Sequence, residues 1–152
     1  MEEQLFLRPA TLDDINVLFE WVNEPAVRQN SFNTAIINFE EHESWYKNAL
    51  SKDTTQIFIL MKDGQPIGQI RLTAKGQAWD IDYSVDVNYR GNGYGGRLFE
   101  LVEQELQKGT ELVGEVKSSN VASQKVFERQ GYQRMANSGE DYYTYIKKVG
   151  AK

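Results

Sequence analysis

The chain has 152 residues, 40% of them hydrophobic. That is enough to bury about 70% of the surface the unfolded chain exposes and to stand as one domain over residues 1–152. With 17 Lys and Arg against 22 Asp and Glu, no Cys and one His, the composition argues against a general nucleic-acid binder and excludes disulfides, thiolate zinc sites, a cysteine nucleophile and a histidine metal cluster.

In chain order, Leu5 to Arg8 reads as a short strand stopped by Pro9. Thr11, with Asp14 three positions on, opens a helix whose face is Ile15, Leu18, Phe19 and Val22, closed by Asn23-Glu24-Pro25. Residues 26–38 place Arg28, Asn30, Ser31, Asn33 and Asn38 among scattered apolar positions and read as irregular or short-helical. Asn38 followed by Glu41 caps a second helix through Leu50, with Phe39, His42, Tyr46, Ala49 and Leu50 along one face. Strands Thr55–Lys62 and Gln65–Leu72 flank Asp63-Gly64, a type I′ hairpin signal, and a third antiparallel strand runs from Ala78 to Val87. Leu98, Leu101, Val102 and Leu106 trace a helix ending at Gly109, and a strand follows at Glu111 to Val116. Asn120 opens another helix that carries Ala122, Val126 and Phe127 inward until Gly131 stops it. A strand begins at Tyr132, and the last, Tyr142 to Val149, is aromatic and β-branched. The start Met-Glu-Glu-Gln lacks a basic n-region, and no apolar run nears the roughly 18 residues of a membrane span, so a soluble cytoplasmic protein without a membrane partner is expected.

The densest signal lies between the third strand and the following helix. Gly91, Gly93, Gly95 and Gly96, with Arg90 and Arg97, make a loop whose backbone N–H groups and helix N-terminus suit a phosphate. Gly91, Gly93 and Gly96 match the dinucleotide pattern G-x-G-x-x-G, with Glu111 near the ribose-binding position. Against that reading, the strand Asp80-Ile81-Asp82-Tyr83-Ser84-Val85-Asp86-Val87 alternates polar with apolar, whereas the dinucleotide fold opens on a strand buried on both faces. Too little chain follows Gly96 for the rest of such a domain.

Arg90, Gly93 and Gly95 form R-x-x-G-x-G, the acyl-CoA pyrophosphate loop of the GNAT N-acetyltransferase superfamily, which this chain resembles. From Asn120 the spacing Asn-x-x-Ser-x-x-x-Phe-x-x-x-Gly-Tyr resembles the family's second motif, and the element order β α α β β β α β α β β fits nearly the whole chain. The resemblance implies an α/β (α+β) GNAT fold: a mixed, mostly antiparallel sheet of about seven strands with helices on both faces. It implies acetyl-CoA as co-substrate, cradled by Arg90, Gly91, Asn92, Gly93, Tyr94, Gly95 and Gly96, with Asn120 and Ser123 beside the pantetheine arm. The strand before the loop is expected to splay at a bulge, freeing backbone groups near Val85 and Val87 to pair with the pantetheine amides.

Transfer is expected to run directly to an amine in a ternary complex, because no cysteine is present to carry the acyl group. Asp80 stands where the family often has a Glu base, and Asp82 lies two residues on, on the same face. Phe127 replaces the tyrosine that serves many members as general acid, leaving Ser123, Tyr83, Tyr132 or water for that task. It also supports a different class, a non-catalytic acyl-CoA sensor. Trp21 to Arg28, Ser31-Phe32-Asn33 and His42-x-x-Trp45-Tyr46 resemble the acetyltransferases of pseudaminic acid biosynthesis, which act on a UDP-linked 4-amino sugar. On that resemblance Arg28, Asn33, His42 and Trp45 are candidate acceptor-binding residues in a monomer or homodimer, with no metal. A ribosomal-protein N-terminus or a polyamine is the alternative acceptor.

Overall fold

The computed structural model describes residues 4–135 and 141–150. Seven strands form one mixed sheet in the order β1-β2-β3-β4-β5-β7-β6. The strands are β1 (Leu5–Pro9), β2 (Thr55–Lys62), β3 (Gln65–Lys75), β4 (Ala78–Val85), β5 (Glu111–Lys117), β6 (Gln133–Arg134) and β7 (Tyr142–Lys148). All neighbours are antiparallel except β4 and β5. The helices are α1 (Ile15–Val22), α2 (Pro25–Asn30), α3 (Phe39–Leu50), α4 (Tyr94–Gln104) and α5 (Val121–Arg129). No helix among the described residues is long and apolar enough to cross a membrane.

Strand alternation divides the core in two. Leu60, Ile70, Leu72, Ile81, Leu112 and Tyr145 point to the face that α4 and α5 cover with Leu98, Phe99, Val102 and Phe127. Ile57 and Ile59 point to the opposite face, which α1 and α3 cover with Leu18, Trp21, Tyr46 and Ala49. That second cluster takes its sheet residues from β2 alone, and the same face of β3, β4 and β5 borders an open hollow.

Local chemistry sets the boundaries. Thr11 and Asp14 form a reciprocal capping box on a 3₁₀ turn, Leu12–Asp14, that leads into α1. Asp14 is also gripped by Arg8 through two 2.8 Å bonds. Asp63 and Gly64 adopt the left-handed conformations that a type I′ turn demands. Pro25 begins α2 at its first position, with the Glu24 side chain as cap, rather than merely closing α1.

The clearest departures from the sequence reading are at four boundaries. β3 runs three residues further, to Lys75, paired across β4. β4 ends at Val85, because the Asp86 carboxylate caps a 3₁₀ turn over Val87–Tyr89. α4 ends at Gln104, and Leu106 reaches the core from the turn that follows. Tyr132 is a buried residue ahead of a two-residue β6 rather than the start of a longer strand.

Candidate functional site

β4 and β5 pair only at Trp79–Leu112 and Asp80–Val113, and beyond that point the arms Ile81–Val85 and Gly114–Lys117 separate. The splay needs no bulge in β4, contrary to the expectation, since its register with β3 is unbroken from Ala78 to Val85. An aromatic wedge sits where the arms part. Phe127, only 2% exposed, drives its ring from α5 against Gly114, where any Cβ would lie 2.4 Å from the ring. Glycine is thus required at 114 by its neighbour. Tyr83 stands beside the wedge, edge-on to Phe99 at 4.9 Å and to Phe127 at 6.2 Å.

Two hollows adjoin at this gap, share Ile81, Asp82, Tyr83, Ser84 and Glu115 in their walls, and form the halves of one cleft. Its glycine-loop half, about 730 Å³, is bordered by Gly91, Gly93, Gly95, Tyr94, Asn120 and Ser123. Gly93 is left-handed at φ 83° and sits at the N-cap of α4 without a side-chain cap, so the first-turn N–H groups face the cleft for a ligand or solvent. Asn92 ties the loop down, donating to the carbonyls of Tyr89 and Arg90. The Arg90 guanidinium donates to the Val85 carbonyl at 2.9 Å and to Glu24 at 2.8 Å, so it braces the loop against the start of α2 while Arg90 borders the cradle. Val87 lies beyond the strand, in the 3₁₀ turn. The Asn120 side chain accepts from the Ser123 N–H and caps α5, and the Ser123 hydroxyl meets the Tyr83 hydroxyl at 2.9 Å. An open left-handed glycine pair before an uncapped helix suits a pyrophosphate.

The other half, about 980 Å³, lies over the open face. Asp80 and Asp82 on β4, Arg71 and Lys75 on β3 and Glu115 on β5 all project into it. Lys75 pairs with Glu115 at 3.1 Å and Arg71 with Asp82 at 3.6 Å. Asp80 is half-buried, and burial, aided by Asp82 and Glu115, holds its pKa above the ordinary carboxylate value against the pull of Lys75. It is the carboxylate here tuned toward accepting a proton.

The acceptor candidates divide. Trp45, 42% exposed, faces the cleft with the Arg71 guanidinium 5.0 Å from its ring centre. The guanidinium of Arg28 is engaged in its own segment, donating to the carbonyls of Val22, Asn33 and Ala35 and to the Ser31 hydroxyl. Asn33 closes the same loop through the Ala35 N–H. His42 is buried between Phe19, Phe39, Trp45 and Tyr46, and its Nε2 donates to the Ile15 carbonyl. Burial lowers its pKa and keeps it neutral. Arg28 and Asn33 therefore shape the roof of the cleft, and His42 supports its wall. The sequence reading missed Glu115, Lys75 and Arg71. Alternation in β3 and β5 carries the signal for them, but only strand pairing shows that they converge.

A family model described as an acetyltransferase (GNAT) domain matches residues 4–133. The chain belongs to this family. Acetyl-CoA is the acetyl donor of these enzymes, and the glycine-loop half of the cleft fits its pyrophosphate. No curated protein matches by sequence. Solved structures similar to this GNAT chain include a spermidine N-acetyltransferase from Vibrio cholerae in complex with CoA and spermine, at 15% identity and TM-score 0.85, covering 96% of both chains. Another is the aminoglycoside acetyltransferase AAC(6')-Ib with coenzyme A and kanamycin, at 18% identity and TM-score 0.78, covering 95% of both chains. A third is a ribosomal L7/L12 alpha-N-protein acetyltransferase with coenzyme A, at 16% identity and TM-score 0.82, covering 97% of this chain and 96% of that one. At these identities the likeness carries the fold.

Proposed function

We propose that this GNAT protein transfers an acetyl group from acetyl-CoA directly to the primary amine of a small cationic acceptor held over the open face of the sheet. The observation that supports this reading is that the two hollows meet at the β4–β5 gap, sharing Ile81, Asp82, Tyr83, Ser84 and Glu115, with the open glycine loop in one and the half-buried carboxylate of Asp80 in the other. Val85 closes β4 beside the gap, where an extended pantetheine arm can lie along the strand, with Asn120 and Ser123 opposite. Holding donor and amine together across the gap removes the entropy of their encounter, the main contribution open to an enzyme without a covalent intermediate. Asp80, directly or through water, takes the proton that the attacking nitrogen must lose, and Asp82 sustains its basicity by like charge. The protein acts as one domain in the cytoplasm, as a monomer or homodimer.

Charge chooses among acceptors. Asp80, Asp82 and Glu115 offer three carboxylates, and Arg71 and Lys75 are each already paired with one. With the Arg28 guanidinium engaged in its loop, a sugar nucleotide finds no free cation among the described residues of the cleft for its diphosphate, whereas a polyamine or aminoglycoside brings the charge the cleft lacks. A UDP-linked 4-amino sugar is the second reading, favoured by the exposed Trp45 ring over Arg71, a surface on which a base can stack. The test is CoA release measured with spermidine, kanamycin, an alanine-terminated peptide and a UDP-linked 4-amino sugar. Highest kcat/KM for spermidine or kanamycin is expected. Highest kcat/KM for the nucleotide sugar reverses the order of the two readings, and no transfer to any of the four removes both.

A further inference from the structure

The aromatic wedge beside the gap also removes a proton donor. Phe127 carries no hydroxyl, and its ring is packed against Gly114. Among the other hydroxyls near the gap, Tyr132 is 4% exposed, borders neither half of the cleft, and has its hydroxyl buried without a partner near Glu103. Tyr83 differs from both. Its ring is fixed by Phe99 and Phe127, and it is the one tyrosine among the described residues that lines both halves of the cleft, at the crossing where donor and acceptor must meet. Its hydroxyl is held at 2.9 Å by Ser123, whose own N–H is fixed by the Asn120 cap.

We propose that Tyr83 is the general acid of the transfer, protonating the departing thiolate, with Ser123 as the residue that positions it. The inference rests on the acetyl-transfer reading above. As the carbon–nitrogen bond forms, the amine proton leaves on the Asp80 side. When the carbon–sulfur bond breaks, its electron pair passes to sulfur, and the proton of the Tyr83 O–H makes the thiol. The phenolate left behind accepts a hydrogen bond from Ser123 and regains a proton from water in the cleft. Burial pushes the Tyr83 pKa up to about 12, so the phenol is protonated at neutral pH and available as a donor when the carbon–sulfur bond breaks.

The experiment compares acetyl-CoA with its seleno analogue, whose selenolate leaves without protonation, in the parent, Tyr83→Phe and Ser123→Ala, using the four amines above. Tyr83→Phe should lower kcat with acetyl-CoA by about 10²-fold while the KM for the donor stays within about threefold. With the seleno donor the deficit should shrink below about tenfold, since no acid is then needed. Ser123→Ala should show a smaller deficit with the same dependence on donor. Parent-like turnover by Tyr83→Phe, or an equal loss with both donors, overturns the assignment and leaves the transferase reading intact. If the parent transfers to none of the four amines, both fall. Should Tyr83→Phe not fold, Ser123→Ala carries the same donor comparison, and an unchanged or donor-independent rate overturns the proposal.

Discussion

The two halves of the cleft are built in different ways. The glycine-loop half takes its phosphate cradle from one stretch of chain, Val85 to Gly96, whose turns are made largely by its own residues: Asp86 caps a turn, Asn92 ties the loop, and Gly91 and Gly93 take left-handed angles. The open-face half draws on α2, α3, β3, β4 and β5, and its charges meet only because the strands pair. A local site tolerates change elsewhere in the molecule but not within itself. An assembled site depends on each element that holds it, and on the gap between β4 and β5 above all.

The largest expected effect falls where the two halves join. Asp80→Asn should lower kcat by about 10²-fold or more, as loss of a general base does, with little change in donor binding. The parent rate should rise with pH through an ionisation above the ordinary Asp value of 3.8, and the variant should lose that limb. If Asp82→Asn shows the large loss instead, the base moves two residues along the same face. Gly114→Ala comes next. Its Cβ meets the Phe127 ring at 2.4 Å and Ile81 at 3.2 Å. Overpacking of this kind should cost about 3 kcal/mol, read as a fall in Tm. Phe127→Leu in the same chain should restore part of it, and a purely additive double variant would mean that the wedge does not shape the gap.

Gly93→Val probes the local half. Space is open around Gly93, but its φ of 83° is one a β-branched residue rarely adopts, and a side chain there obstructs a phosphate. The parent should gain about 2.7 kcal/mol of stability at a hundredfold its Kd for acetyl-CoA, and the variant should show no such gain. NAD should stabilise neither.

Much of this contrast is visible in the order of residues. The glycine loop, the Asn120 cap, the hairpin at Asp63-Gly64 and the helix of Asn38 are each decided by neighbours within a few positions, and all can be read from the chain. The roles of Arg90, Arg28 and His42 could not be. Their partners Glu24, Asn33 and Ile15 are fixed by tertiary packing, and a free guanidinium and an engaged one look alike in sequence. Glu115 was hidden for the same reason, lying 40 residues from Lys75.

Arg28→Ala sharpens the point. Removing four hydrogen bonds, three to residues 31–35 and one to the Val22 carbonyl, should raise the KM for every amine by a similar factor, leave that for acetyl-CoA nearly unchanged, and cost about 1–2 kcal/mol of stability. A loss confined to the nucleotide sugar would return Arg28 to the role of phosphate ligand.

The smallest effects separate a structural carboxylate from a working one. Asp14 and Asp80 are both withdrawn from water, yet their pKa values move in opposite directions. The bidentate bond from Arg8 holds Asp14 below the ordinary 3.8, while burial holds Asp80 above it. A depressed folded pKa means that Asp14 stabilises the fold fully above pH 3.8 and loses that contribution as the pH falls through its folded value. Asp14→Asn should therefore lower Tm at pH 7, by about 2 kcal/mol in free energy, with the difference from the parent narrowing in acid. A raised folded pKa has the reverse sign: the ionised Asp80 costs stability at neutral pH, and the cost fades as the group takes up a proton on the way down to 3.8. Asp80→Asn should accordingly raise Tm at pH 7, a small gain accompanying the loss of activity, and should lose that advantage in acid. A fall in Tm at pH 7 for Asp80→Asn would show that its carboxylate is held by its neighbours like that of Asp14, and the proton acceptor would then have to be sought elsewhere on the open face.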